Sequence, residues 1–170
     1  MNKTLIIKGS SRKESNTQKV IHRLNENNDF EIIDLLDYKI GPFDYNFNNR
    51  SDDFLPLIEK ILRKYENLLF VTPVYWYTMS STMKIFLDRF TDLLHHRKDL
   101  GFKLQGKSMA MISNSIDNNR IQGFEAPLRE SAKYLGMHYL GDMHVWFDDD
   151  NTHPKALKLM AIFKQKFISL

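Results

Sequence analysis

Leu5-Ile6-Ile7-Lys8-Gly9-Ser10-Ser11-Arg12-Lys13-Glu14-Ser15-Asn16-Thr17-Gln18 changes character twice in one short stretch. The apolar, β-branched run at its start reads as a buried strand, and Gly9 with its neighbouring serines ends it. A helix follows almost at once, with Val20, Ile21 and Leu24 on one face. Ser15 and Gln18 have the spacing of a capping box: Ser15 satisfies first-turn amides and Gln18 reaches back. Between strand and helix lie Ser10, Ser11, Arg12, Asn16 and Thr17, beside the free N–H groups and positive dipole of a helix start. That is the outline of a phosphate site. The competing reading is a serine-rich turn with a surface arginine. Arg12 favours phosphate, because a guanidinium fork matches phosphate oxygens whereas a plain turn takes any polar residue. Neither Gly-x-Gly-x-x-Gly nor a Gly-Lys-Ser/Thr ending is present, so the expected ligand is a monophosphate rather than a dinucleotide or a nucleoside triphosphate.

Working outward, the same alternation recurs. A second strand is expected over Phe30–Leu36, then an irregular stretch to Asp52 containing Phe43, Tyr45 and Phe47. Those aromatics either pack on the domain's own core or meet a partner subunit. Ser51 or Asp53 is placed to cap a helix carrying Leu57, Ile58, Ile61 and Leu62. A third strand spans Asn67–Thr72, and Pro73 is expected to end it. The longest helix opens at Ser80, Ser81 or Thr82 and carries Met83, Phe86, Leu87, Phe90, Leu93 and Leu94 at helical spacing. A fourth strand spans Ser108–Ile112. A helix from about Phe124 stops at Gly136. A fifth strand falls between His138 and Phe147, and Pro154 sits in the first turn of a final helix.

Five strands alternating with five helices predict an α/β domain over residues 1–170, a parallel sheet covered by helices on both faces. Ligands of such sheets lie beyond the carboxyl ends of the strands, where strand order reverses. Three loops are then decisive: Gly9–Thr17, Thr72–Met79 and Ser113–Arg120.

The 170 residues contain no cysteine, which excludes disulfides, thiolate zinc sites, cysteine-held iron–sulfur clusters and a cysteine nucleophile. Redox chemistry would fall to an organic cofactor. The net charge of +3 is spread along mixed-sign helices, so no nucleic-acid partner is expected. No apolar run has the length of a membrane span, and the first strand begins too early for a secretory signal; a cytoplasmic protein is expected. The histidines lack ligand spacing and Asp148-Asp149-Asp150 reads as a solvated loop, so no metal is expected. Ser10 and Ser11 have no histidine partner by spacing and Gly-x-Ser-x-Gly is absent, so no catalytic side chain is expected either.

Thr72-Pro73-Val74-Tyr75-Trp76-Tyr77-Thr78-Met79 puts three aromatics where an ordinary connection is small and polar. They either plug the sheet edge or offer a stacking surface to a flat ring. With the first loop and the helix Ser80-Ser81-Thr82-Met83-Lys84-Ile85-Phe86-Leu87-Asp88-Arg89, in this order, the chain resembles the NAD(P)H-dependent FMN reductases and related quinone or azo reductases of the flavodoxin-like fold. The resemblance implies a five-stranded sheet of order 2-1-3-4-5. It also implies FMN as cofactor, with Ser10, Arg12, Ser15, Asn16 and Thr17 holding its phosphate and Pro73, Val74, Tyr75, Trp76 and Tyr77 along the isoalloxazine. Lys84, Asp88 and Arg89 would be architectural or lie at a subunit interface.

The third loop departs from the family pattern. Where many relatives have glycines, Ser113-Asn114-Ser115-Ile116-Asp117 offers side chains, and Ser113, Asn114 and Ser115 are the residues placed at the pyrimidine edge. The implied reaction is hydride transfer from NADPH or NADH to the flavin and onward, in a ping-pong cycle, to a small acceptor such as a flavin, quinone, azo or nitro compound. The chemistry lies on the flavin, and a homodimer is implied. The alternatives are a flavodoxin-like electron carrier and a non-catalytic FMN-binding protein. Carriers tend to be acidic, which this chain is not.

Overall fold

Leu5, Ile6 and Ile7 are all fully buried, which a strand achieves only when both faces of its sheet are covered. The computed structural model describes residues 3–168 and builds outward from this strand, β1 (Thr4–Lys8). The helix α1 (Asn16–Leu24) carries the chain to β2 (Glu31–Asp34). After α2 (Phe54–Lys64) come β3 (Asn67–Tyr75) and a two-residue strand, β4 (Thr78–Met79). Three helices follow, α3 (Ser81–Asp88), α4 (Phe90–His95) and the short α5 (Lys98–Gly101). The chain ends through β5 (Ser108–Ser115), α6 (Ala126–Tyr134), β6 (His138–Asp148), a two-residue β7 (Asn151–Thr152) and α7 (Pro154–Ile168).

The five main strands are parallel in the order β2-β1-β3-β5-β6, the expected arrangement. Two short antiparallel additions raise the strand count above the expected five: β4 folds back on β3 and β7 on β6. The period-two alternation of strands sorts the core. Leu5, Ile7, Leu68, Phe70, Met109 and Met111 meet α2, α3, α4 and α6, while Ile6, Leu69, Val71, Ala110 and Ile112 meet α1 and α7.

Several boundaries differ from expectation, each for a local reason. The second strand stops at Asp34, whose carboxylate accepts from the Leu36 amide (3.0 Å) and turns the chain into a 3₁₀ turn over Leu35–Asp37. Pro73 does not end β3. Val71 is the last residue of the strand to meet β1, its carbonyl accepting from the Gly9 amide (2.9 Å), so the donor that proline lacks lies on a side β1 has already left. The long amphipathic stripe is real, but its helix is interrupted at Arg89. The buried guanidinium pairs with Asp52 and Asp92 and donates to the Gly41 (3.0 Å) and Asn49 (3.1 Å) carbonyls, tying down the loop before α2. In that loop Phe43 packs edge-on against Tyr45 and Phe47, and Phe47 stacks on His96, while Tyr45 remains 88% exposed. The longest helix is α7.

Candidate functional site

The carboxyl ends of β1, β3 and β5 sit side by side, and the loops leaving them line one cleft of about 280 Å³. The first loop contributes Ser10, Arg12, Ser15, Asn16 and Thr17; the second, Pro73, Val74 and Tyr75; the third, Asn114, Ser115 and Ile116.

In the first loop, Ser15 caps α1 as expected, its Oγ accepting from the Gln18 amide at 3.2 Å. Gln18 does not reach back to complete a capping box. Its Oε1 instead accepts from Lys8 Nζ (2.8 Å), and its Nε2 lies 2.7 Å from the His22 ring. The Asn16 and Thr17 amides find no acceptor among the described residues, and neither does the exposed Arg12 guanidinium. Two free helix-start amides and an uncommitted guanidinium on one wall are a donor set for an anion. Gly9 is required by packing: a Cβ there would lie 2.8 Å from Met83 Cβ. The Gly9 carbonyl accepts from Ser80 Oγ (2.7 Å), which joins this loop to the start of α3.

The second loop is a tight hairpin. Tyr75 pairs with Thr78, leaving Trp76 and Tyr77 as a two-residue turn with φ of 46° and 65°. Such turns usually carry glycine or asparagine; two bulky residues held in the left-handed region cost about 1–2 kcal/mol each. The Trp76 side chain is 92% exposed, so little packing offsets that cost, and backbone strain of this kind gathers at functional sites. Trp76 and Tyr77 stand at the rim rather than among the cleft-lining residues. The Tyr75 hydroxyl lies 2.8 Å from Ser11 Oγ, joining the first two loops.

In the third loop strand alternation divides the expected residues. Asn114 faces α1 and the cleft, its Oδ1 accepting from Thr17 Oγ1 at 2.9 Å. That spends the Thr17 hydroxyl, leaving its backbone amide to the cleft. Ser113 is turned to the opposite face, buried, 2.9 Å from His144 Nδ1. Its side chain therefore does not join the cleft, contrary to expectation. Ser115 lies within 3.0 Å of His144 Nε2, which also lies 3.0 Å from the Asp117 carbonyl. Burial holds the imidazole below its ordinary pKa, so the neutral ring braces the loop from beneath. Arg120 adds a second brace through its ion pair with Asp142.

Sequence reasoning missed Ile116 and Lys8. The first had a legible signal, a large apolar residue in a polar loop, and it is 78% exposed at the cleft. A larger groove of about 400 Å³ lies between β6 and α7, lined by Met143, Trp146, Leu159 and Phe163 among others; Lys155, from the start of α7, also lines it, but its amide donates to His153 Nδ1 (3.1 Å). Among the described residues no group of acids and histidines is placed to hold a metal, and no helix is long and apolar enough to cross a membrane. A narrow cleft with anion donors at one end and aromatic and aliphatic side chains at the other fits a mononucleotide bearing a flat ring, as FMN does.

A family model described as NADPH-dependent FMN reductase matches residues 2–152. The chain is 32% identical over 147 residues to YwqN of Bacillus subtilis (strain 168), a protein named for an inferred NAD(P)H-dependent FMN-containing oxidoreductase activity; the match covers 82% of this chain and 79% of that one. Among solved structures, the Trp repressor binding protein from Bacillus subtilis is similar with a TM-score of 0.73 at 24% identity, covering 96% of each chain. An NADPH-quinone reductase from P. pentosaceus is similar with a TM-score of 0.67 at 20% identity, covering 99% of each. These two likenesses are likenesses of fold.

Proposed function

Since the chain belongs to the NADPH-dependent FMN reductase family, we propose that it holds FMN in the three-loop cleft and uses NAD(P)H to reduce a small organic acceptor there. The observation behind this is the meeting of free anion donors (Arg12, and the Asn16 and Thr17 amides) with the Pro73–Tyr75 segment in one cleft at the strand ends. When bound, FMN supplies the group that accepts a hydride and passes electrons on.

The chain's own residues bind and orient. Ser10 and Arg12, with the backbone around Ser15, Asn16 and Thr17, hold the phosphate. Pro73, Val74 and Tyr75 flank the ring, and Trp76 and Tyr77 give the rim an aromatic face for incoming planar substrates. Asn114, its amide held by Thr17, and Ser115 meet the polar edge of the ring. Nicotinamide and acceptor occupy the same stacking place in turn, which gives ping-pong kinetics. Further parts of the proposal are that residues 1–170 act as a single domain and that two copies associate, supported by the groove that Leu87, Leu94 and Tyr134 line between α3, α4 and α6.

Anaerobic addition of NADPH or NADH to the FMN-loaded protein tests the reading. Rapid bleaching of the flavin, and parallel lines in double-reciprocal plots across an acceptor series, are expected. A protein that binds FMN but is reduced only by a protein donor would be an electron carrier instead. Sedimentation of the purified chain tests the dimer.

A further inference from the structure

Lys8 is the last residue of β1, and its side chain is only 2% exposed. Burying an ammonium is unfavourable, and a buried ion pair is a poor way to gain stability compared with an apolar residue in the same place. The partners of Lys8 suggest what it is for. Its Nζ lies 3.0 Å from Asp34 Oδ2 and donates to the Lys13 carbonyl (2.7 Å) and to Gln18 Oε1 (2.8 Å). These acceptors come from the end of β2, the middle of the first loop and the first turn of α1. An ammonium has three donors, and all three are used, so none is left for a ligand. From outside, Lys13 holds the same loop through Asp34 (3.3 Å) and Asp37.

We infer that Lys8 is a positioning residue for phosphate recognition: pinned to Asp34, it holds the Gly9–Gln18 loop in its binding shape before any phosphate arrives, so that Arg12 and the Asn16 and Thr17 amides are already aimed at the cleft. Preorganisation raises affinity by removing the ordering cost from the binding step. The inference rests on the proposal that this loop takes the FMN phosphate.

Comparing FMN with riboflavin, which lacks the phosphate, isolates the effect. Dissociation constants for both are measured by flavin fluorescence on the full chain as wild type, Lys8→Met and Gln18→Met. Lys8→Met orphans no charge, since Asp34 keeps Lys13 and the Leu36 amide. Gln18→Met leaves the Lys8–Asp34 pair intact and cuts its tie to α1, together with the exposed contact of Gln18 to His22. FMN affinity should fall about tenfold or more in Lys8→Met and severalfold in Gln18→Met. Riboflavin affinity should stay unchanged, so that the preference for FMN shrinks. A wild-type preference retained in both variants overturns the role of Lys8, and if Lys8→Met does not fold, retention in Gln18→Met overturns it alone. Wild type binding riboflavin as tightly as FMN overturns the phosphate reading of the loop itself.

Discussion

Arg12 and Ser113 look alike in the sequence, as polar residues of loops beyond strand ends, and the structure treats them oppositely. Arg12 has an exposed guanidinium with no partner among the described residues. Removing a charge-assisted contact of this kind costs about 1.5–3 kcal/mol, so Arg12→Ala should weaken FMN binding about ten- to a hundredfold; an unchanged titration curve would remove Arg12 from the site. Ser113 is buried against His144, so Ser113→Ala should leave flavin affinity within about twofold, well under the 1.4 kcal/mol that corresponds to tenfold. Residue identity was legible in both cases. Orientation was not, because it depends on which face of β5 a position occupies, and a strand so nearly buried on both faces carries no polar–apolar alternation to reveal it.

At the scale of an element, the β3–β4 hairpin is the least self-consistent part of the fold. An aromatic-rich turn was visible in the sequence, but not its left-handed backbone, since Trp76 and Tyr77 are not residues that local propensity would choose there. Replacing Trp76 by glycine should stabilise the ligand-free protein by about 1 kcal/mol in urea unfolding, because glycine adopts positive φ without strain and the exposed indole forfeits little packing. The same variant should reduce planar acceptors more slowly. A loss of stability instead would mean that the indole packs against something in solution. The interruption between α3 and α4 is a second case: helical spacing from Met83 to Leu94 shows one buried stripe, but not that the helix is interrupted at Arg89, whose guanidinium meets Asp52, Asp92 and a distant loop.

For the whole molecule, stability should depend on pH through His144. Burial disfavours the imidazolium, holding its pKa below the ordinary 6.5, while the Asp117 carbonyl opposes and Arg120 reinforces that shift. The unfolded chain therefore takes up a proton as pH falls through about 6.5 while the folded chain does not. Stability present above that pH is lost as pH falls towards the folded value. His144→Gln keeps hydrogen-bonding capacity without the titration. Urea unfolding between about pH 8 and 5 should give a shallower acid decline for the variant than for wild type, and identical slopes would show that the imidazole titrates normally in the folded protein.

The amino-acid sequence by itself determined the alternation of strands and helices, the parallel sheet, the Ser15 cap and the order of the three loops, because these follow from periodicity and from contacts only a few residues apart. Tertiary structure alone decided that Gln18 serves Lys8, that Thr17 holds Asn114, that Ser113 faces away from the cleft and that Arg89 is buried against Asp52 and Asp92. Each of those depends on a partner brought near by the packing of the sheet. A buried polar side chain must satisfy whichever neighbour the fold delivers to it, and that neighbour is not written in the residues on either side.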